Sequence, residues 1–273
     1  MSQSGRGENV SRIDGAFAAA KDRGEKGLIV YLTAGDPDGR SSLSYVRAAA
    51  DGGADLLEVG IPFSDPMADG PTIQAAARRA LDAGMTLGRA LSLISGFRRT
   101  HSTPVVVFGY YNPFFRYGIP GFCMDARSAG ADGVLVVDLP YEESQEMLPE
   151  VRRAGLDWIP LVSPTSGPDR IRRAVASGSG FLYLISVTGI TGARTALPPG
   201  IAAWTRSVKE RTSLPVAVGF GISTPGMAKA AARHADAAVV GSACVKIVEA
   251  HGASRTGPEA LRRFVRSLKS ELR

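Results

Sequence analysis

Short runs of apolar, often β-branched residues recur along the chain, each followed by a turn and a longer stretch of helical periodicity. The runs are Leu28–Thr33, Leu56–Ile61, Pro104–Tyr110, Gly133–Asp138, Trp158–Val162, Phe181–Val187, Pro215–Phe220 and Ala237–Gly241. Their near-continuous hydrophobicity predicts strands covered on both faces, as in a parallel sheet. Between them, Ser41–Ala50, Thr72–Ala83, Glu142–Arg153, Asp169–Ser177 and Thr224–Arg233 predict amphipathic helices. Several open on Ser, Thr, Asp or Pro, as helix starts do. Strand–helix–strand units in parallel are right-handed, and eight in series predict an α/β fold, a single (β/α)8 TIM barrel. Arg12–Lys21 predicts an extra N-terminal helix plugging the bottom of the barrel. Thr86–Phe97 and Pro258–Leu272 predict additional helices, in the second crossover and at the end of the chain. No linker rich in Gly, Pro or Ser divides the chain, so residues 1–273 are expected to form one domain, with residues 1–10 flexible.

A length of 273 residues suits this fold, which commonly runs to roughly 250. A chain of that mass buries about three-quarters of its unfolded surface, enough core without disulfide or metal support. At 44% hydrophobic and 21% charged, the composition excludes a disordered or fibrous chain. Gly133–Val137 and Pro215–Phe220 are too short to cross a bilayer, and Met1–Ser11 is polar, without the apolar stretch of a secretory signal. A cytoplasmic protein with no membrane partner is expected. The net charge of +6 raises the question of nucleic acid. The basic residues are spread along predicted helices with no basic arm, and no RNA-binding signature interleaves aromatics with them, so no nucleic-acid partner is expected. Cys123 and Cys244 form neither a CxxC pair nor an extracellular framework and are read as reduced core thiols.

Active sites of this fold collect at the C-terminal ends of the strands. His101 and His234 precede strands and His251 lies beyond the last, which argues against a histidine metal centre. No lysine stands at the top of the first seven strands, and Lys246 is a remote candidate for Schiff-base chemistry. Carboxylates, hydroxyls and backbone amides remain. Strand alternation with Leu57 and Val59 outward turns Leu56, Glu58 and Gly60 into the barrel. Glu58 is then an acid in an apolar interior, where burial raises its pKa toward the range useful for proton transfer. The alternative is a structural Glu–Arg pair, although no Arg lies in the neighbouring strands. The following loop carries Asp65 and Asp69, either of which could be a turn residue or a helix cap instead. Glycines cluster after the last three strands, in Thr188-Gly-Ile-Thr-Gly192, Gly219-Phe-Gly221 and Gly241-Ser242. Three such loops in one quadrant predict a phosphate site built from main-chain amides and helix N-termini.

These residues carry a resemblance. Tyr31-Leu-Thr-Ala-Gly-Asp-Pro37, Glu58-Val-Gly-Ile-Pro-Phe-Ser-Asp-Pro66, Ala68-Asp-Gly-Pro71, Gly109-Tyr-Tyr-Asn-Pro113, Ser186-Val-Thr-Gly-Ile-Thr-Gly192, Gly219-Phe-Gly-Ile-Ser223 and Val240-Gly-Ser-Ala243 stand in an order that resembles the tryptophan synthase α subunit family. The resemblance implies a cofactor-independent, metal-free lyase that cleaves indole-3-glycerol phosphate into indole and glyceraldehyde 3-phosphate. It implies that Glu58 is the acid protonating the indole ring and Asp69 the carboxylate accepting the indole N–H. Tyr31, Phe108, Tyr183 and Thr191 would contact substrate, and Gly192, Gly221, Gly241 and Ser242 its phosphate. Pro62, Asp65 and Asn112 would face a β subunit, itself carrying pyridoxal phosphate, in an α2β2 complex. Val30, Phe108 and Tyr141 depart from the family pattern and bear on pocket shape and partner fit. A stand-alone lyase releasing free indole shares much of the motif and remains an alternative. A sugar-phosphate epimerase fits less well, because such enzymes rely on a metal or on paired aspartates in other strands, and a non-catalytic regulatory subunit fits less well because Glu58 and Asp69 are both present.

Overall fold

The computed structural model describes residues 11–185, 200–219 and 221–273. The expected flexible segment 1–10, the loop glycines and threonines from 188 to 192, and Phe220 lie outside them. All strand pairings are parallel, in the order β5-β4-β3-β2-β1-β9-β8-β7-β6. The strands are β1 (Gly27–Thr33), β2 (Leu56–Gly60), β3 (Val105–Gly109), β4 (Gly133–Val136), β5 (Asp157–Trp158), β6 (Leu161–Val162), β7 (Leu182–Ile185), β8 (Val216–Gly219) and β9 (Ala237–Val240).

The run Trp158–Val162 is thus two strands, not one. Pro160 has no N–H to donate, so the ladder breaks there. Ile159 N–H still bonds the Val134 carbonyl at 3.0 Å on one side, and Tyr183 N–H bonds the Pro160 carbonyl at 3.0 Å on the other. The chain itself therefore bridges β5 and β6 and closes the ring of eight barrel strands.

The helices are α1 (Arg12–Asp22), α2 (Gly39–Asp51), α3 (Pro71–Asp82), α4 (Leu87–Arg98), α5 (Tyr111–Tyr117), α6 (Ile119–Ala129), α7 (Leu148–Arg153), α8 (Pro168–Ser177), α9 (Ile201–Lys209), α10 (Pro225–Ala232), α11 (Ser242–His251) and α12 (Gly257–Ser270). The predicted helix Glu142–Arg153 is broken: a single 3-10 turn at Tyr141–Glu143 is separated from the short α7, which keeps only its second half. Pro149 in the first turn of α7 cannot extend a helix backward through its own nitrogen. The crossover after β3 holds α5 and α6, whose periodicity is obscured by Pro113, Gly118, Pro120 and Gly121.

Alternation sorts the strand residues. Leu28, Val30, Leu32, Leu57, Val59, Val105 and Val107 pack outward into the main core beneath the helices. Ile29, Leu56, Val106, Leu135, Ile159, Phe181, Ala217 and Val239 pack inward as the barrel floor. Ile13 of α1, fully buried, joins that inner cluster, and Phe17 packs against it. The N-terminal helix therefore seals the bottom, and the polar site can form only at the opposite end. Removing the plug's anchor with Ile13→Ala should cost about 2–5 kcal/mol, read as a lower urea midpoint. A loss under about 1 kcal/mol would show that α1 is not seated in the floor.

Candidate active site

Above the floor, Tyr31, Glu58 and Val106 share one level of the register, and Thr33, Gly60 and Phe108 the next. A cavity, partly open to solvent, lies at this height. Its lining includes Tyr31, Glu58, Asp69, Ile73, Phe108, Tyr183, Gly219, Gly221, Ile222, Val239, Gly241 and Ser242. Glu58 points inward and is 1% exposed. Among the described residues neither of its carboxyl oxygens has a hydrogen-bond partner. Burial alone pushes its pKa from 4.5 up to about 8, so it is a neutral acid at neutral pH. Asp132 shows what a structural carboxylate looks like here: equally hidden, it is met by Arg12 at 2.6 Å, Arg98 at 3.0 Å and the Val105 N–H at 2.8 Å.

Asp69 reaches the same cavity from the loop between β2 and α3. Pro71 in the first turn of α3 starts the helix directly after Asp69-Gly70, fixing where that loop ends. Tyr110, at the top of β3, donates its hydroxyl to Asp69 Oδ2 at 2.9 Å and accepts the Ala68 N–H at 3.1 Å. Its ring also packs on Phe63, with centroids 5.4 Å apart. Gln74 holds the Asp69 carbonyl from α3 at 2.8 Å. Burial lifts the Asp69 pKa to about 6, against the lowering effect of the Tyr110 hydrogen bond. Asp69 is thus mostly ionised where Glu58 is mostly protonated. Asp65, by contrast, is exposed on the outer part of the loop.

Tyr31 and Phe108 pack edge to face, with centroids 5.1 Å apart and planes at 76°. Tyr31 and Tyr183 are held as neutral phenols by burial, with the fields of Glu58 and Asp69 adding to it. Both rings lie across glycines: a Cβ at Gly60 would collide with the Tyr31 hydroxyl, and one at Gly219 with that of Tyr183. On the far wall, Gly221, Gly241 and Ser242 bring main-chain groups to the cavity beside the N-terminus of α11. That helix has no side-chain cap, so its first amides are available to an anion.

The structure therefore gathers Glu58, Asp69, Tyr31, Phe108, Tyr183, Gly221, Gly241 and Ser242 around one space. Thr191 and Gly192 lie outside the described residues. Pro62 is buried, while Asn112 is exposed in the first turn of α5, near the exposed side chains of Met67 and Phe115. Val30, a departure from the family pattern, faces the outer core and does not reach the cavity. The sequence alone did not show that Tyr110 would hold Asp69; Tyr110 is the last residue of the predicted strand Pro104–Tyr110, and its place at a strand top is the signal available for it. A second cavity lies beside β4 and β6, where Pro160 breaks the ladder. Its carboxylate, Asp138, is occupied by the Tyr111 N–H at 2.7 Å. Among the described residues no group of three or more His, Cys, Asp or Glu side chains could hold a metal ion, and no helix is long and apolar enough to cross a membrane.

Because the folded protein raises the Glu58 pKa, the stability this group contributes is complete below about pH 4.5 and is lost as the pH rises toward about 8. Glu58→Gln, neutral at every pH, should therefore unfold at a higher temperature than the parent above pH 8, with the advantage vanishing near pH 4.5. A difference independent of pH in thermal unfolding would show that the carboxyl is solvated or paired in the folded state.

A family model described as tryptophan synthase alpha chain matches residues 17–273. The tryptophan synthase alpha chain of Citrifermentans bemidjiense is 49% identical over 260 residues, covering 95% of this chain and 97% of that one. The solved structure of Mycobacterium tuberculosis tryptophan synthase superposes with a TM-score of 0.90 at 34% identity, over 97% of this chain and 99% of that one. A tryptophan synthase complex from Pyrococcus furiosus does so with a TM-score of 0.82 at 38% identity, over 89% and 98%. On sequence, fold and coverage together, the chain belongs to the tryptophan synthase alpha chain family.

Proposed function

We propose that the chain is a lyase catalysing the α reaction of tryptophan biosynthesis, the retro-aldol cleavage of indole-3-glycerol phosphate to indole and glyceraldehyde 3-phosphate. The observation that carries this reading is a buried and protonated Glu58, with no hydrogen-bond partner among the described residues, sharing a cavity with an ionised Asp69 and with Gly221, Gly241 and Ser242. The substrate has one feature for each. Its phosphate suits Gly221, Gly241, Ser242 and the α11 N-terminus, and its flat ring suits the walls made by Tyr31, Phe108 and Tyr183. Thr191, as a contact to the substrate, and Gly192, as a contact to its phosphate, belong to the same reading.

The chemistry needs no group beyond these. Glu58 gives its proton to indole C3, making the ring an electron sink with positive charge at nitrogen. Asp69 accepts the N–H and stabilises that charge. The bond from C3 to the glycerol chain then breaks, and its electron pair restores the aromatic ring. The adjoining hydroxyl becomes the aldehyde and returns its proton to the Glu58 carboxylate, which ends the cycle as it began. Two carboxyl groups in unlike surroundings divide the acid and anion roles. No metal or organic cofactor is assigned to this chain, and a cytoplasmic location is part of the reading.

A β subunit carrying pyridoxal phosphate, in an α2β2 assembly, is the proposed partner. Pro62, Asp65 and Asn112 are the residues assigned to that contact, and of these Asp65 and Asn112 are exposed. Mixing the protein with indole-3-glycerol phosphate, with and without a β subunit, and following indole tests both levels. Cleavage that rises strongly with β supports the complex, equal cleavage alone supports the stand-alone lyase, and no cleavage in either rejects the reaction.

Glu58→Gln should lower kcat by about 10²–10⁴-fold while glycerol phosphate still binds, and retention of more than about a tenth of kcat would remove Glu58 from the acid role. The kcat/KM profile should be bell-shaped, rising as Asp69 ionises near 6 and falling as Glu58 ionises near 8. Tyr110→Phe takes away the donor that favours the Asp69 anion, so the acidic limb should move to higher pH. An unmoved limb would show that Tyr110 does not tune Asp69.

A further inference from the structure

One guanidinium ties together three elements that each contribute to the cavity, without lining it itself. Arg79, on α3, binds Asp36 through both carboxylate oxygens, Nε at 2.8 Å and Nη2 at 2.9 Å. Its remaining arm, Nη1, reaches Glu249 Oε1 at 3.0 Å. The three residues belong to three separate elements, and each element carries a different part of the site. Asp36 stands on the loop leaving β1, the strand that supplies Tyr31. Arg79 is on the helix that starts two residues after Asp69 and sends Ile73 into the cavity. Glu249 is on α11, whose first residue is Ser242, at the wall assigned to the phosphate.

We propose that Arg79 is a positioning residue that sets the spacing between the carboxylate side of the cavity and its phosphate side. The inference rests on the lyase reading for its kinetic arm, and on the cavity alone for its binding arm. The physical ground is the planar fork of arginine. It holds Asp36 bidentately, which fixes direction as well as distance, and leaves one donor free for a third element. Asp36 is 3% exposed, so its carboxylate cannot turn away to water, and the fork is anchored at that end. Glu249 is half-exposed and its link is the adjustable one. An ion pair of that exposure adds little to stability, so its use lies in holding α11 against α3. A substrate that spans acid, ring and phosphate reacts only when those parts are held at the right separation. Displacement by about 1 Å, even by a change remote from the reacting atoms, can cost about 10²-fold in rate.

The experiment compares Arg79→Gln, Glu249→Ala and Glu249→Gln with the parent protein. It measures kcat, KM for indole-3-glycerol phosphate, the Kd of glycerol phosphate and the unfolding midpoint. Glu249→Ala should leave the midpoint and kcat near the parent values while KM and the glycerol phosphate Kd rise several-fold. Glu249→Gln keeps an acceptor for Nη1 and should restore most of that loss. Arg79→Gln should lower kcat as well, by about tenfold to 10²-fold, because both links are cut. The proposal is overturned if Glu249→Ala binds glycerol phosphate as the parent does, or if Arg79→Gln loses thermal stability alone. Should the parent protein show no lyase activity, the lyase reading fails, while the glycerol phosphate Kd of the Glu249 variants still decides the role of the clamp.

Discussion

A carboxyl group enclosed in an apolar barrel, with nothing to hydrogen-bond, imposes conditions on everything around it. Even a neutral polar group left unsatisfied costs about 1–3 kcal/mol, and its charged form costs far more. The Glu58 side chain is held at that cost by position: it is on the middle residue of β2, paired on both sides, and the alternation of the strand leaves it no outward rotamer. The neighbours that could have relieved it are phenols, and those rings are fixed over Gly60 and Gly219. The closed bottom of the barrel, sealed by Ile13 and Phe17, confines access to the upper end. The result is an acid that keeps its proton at neutral pH in a cavity walled by aromatic rings.

The contrast with the other buried acids shows that this is a local arrangement rather than a habit of the fold. Asp132 meets two arginines and a backbone amide, and Asp36 meets the Arg79 fork. Asp55 joins Lys269 and the Leu28 N–H at the lower end of the barrel. Each of these carboxylates ties elements together. Asp69 is intermediate, with one hydroxyl donor against its burial, and its pKa is lifted to about 6, below that of Glu58 at about 8. A graded series of environments lets chemically similar side chains hold different protonation states at one pH.

Much of the architecture was legible along the chain because strands covered on both faces read as apolar runs, and those runs survive insertion of turns and helices. What escaped was set by proline. Pro160 divides the fifth barrel strand, Pro149 restricts α7 to a short piece, and Pro113 with Pro120 hides two helices in the third crossover. In the site, the inward direction of Glu58 followed from a period of two. Asp65 and Asp69 could not be told apart by spacing, since both occupy a loop without a period. The hydroxyl of Tyr110, which singles out Asp69, comes from another strand, 41 positions further along the chain.

The amino-acid order alone determined which residues are apolar, which strand faces they occupy, and that an acid on β2 must turn into the barrel, because these follow from local backbone geometry. It also carried the motif order shared with the tryptophan synthase alpha chain family. The tertiary structure decided which acids are left without a partner, which aspartate enters the cavity, and which arginine joins its walls. Those outcomes depend on distances between segments far apart in the chain, and no local pattern encodes a distance of that kind.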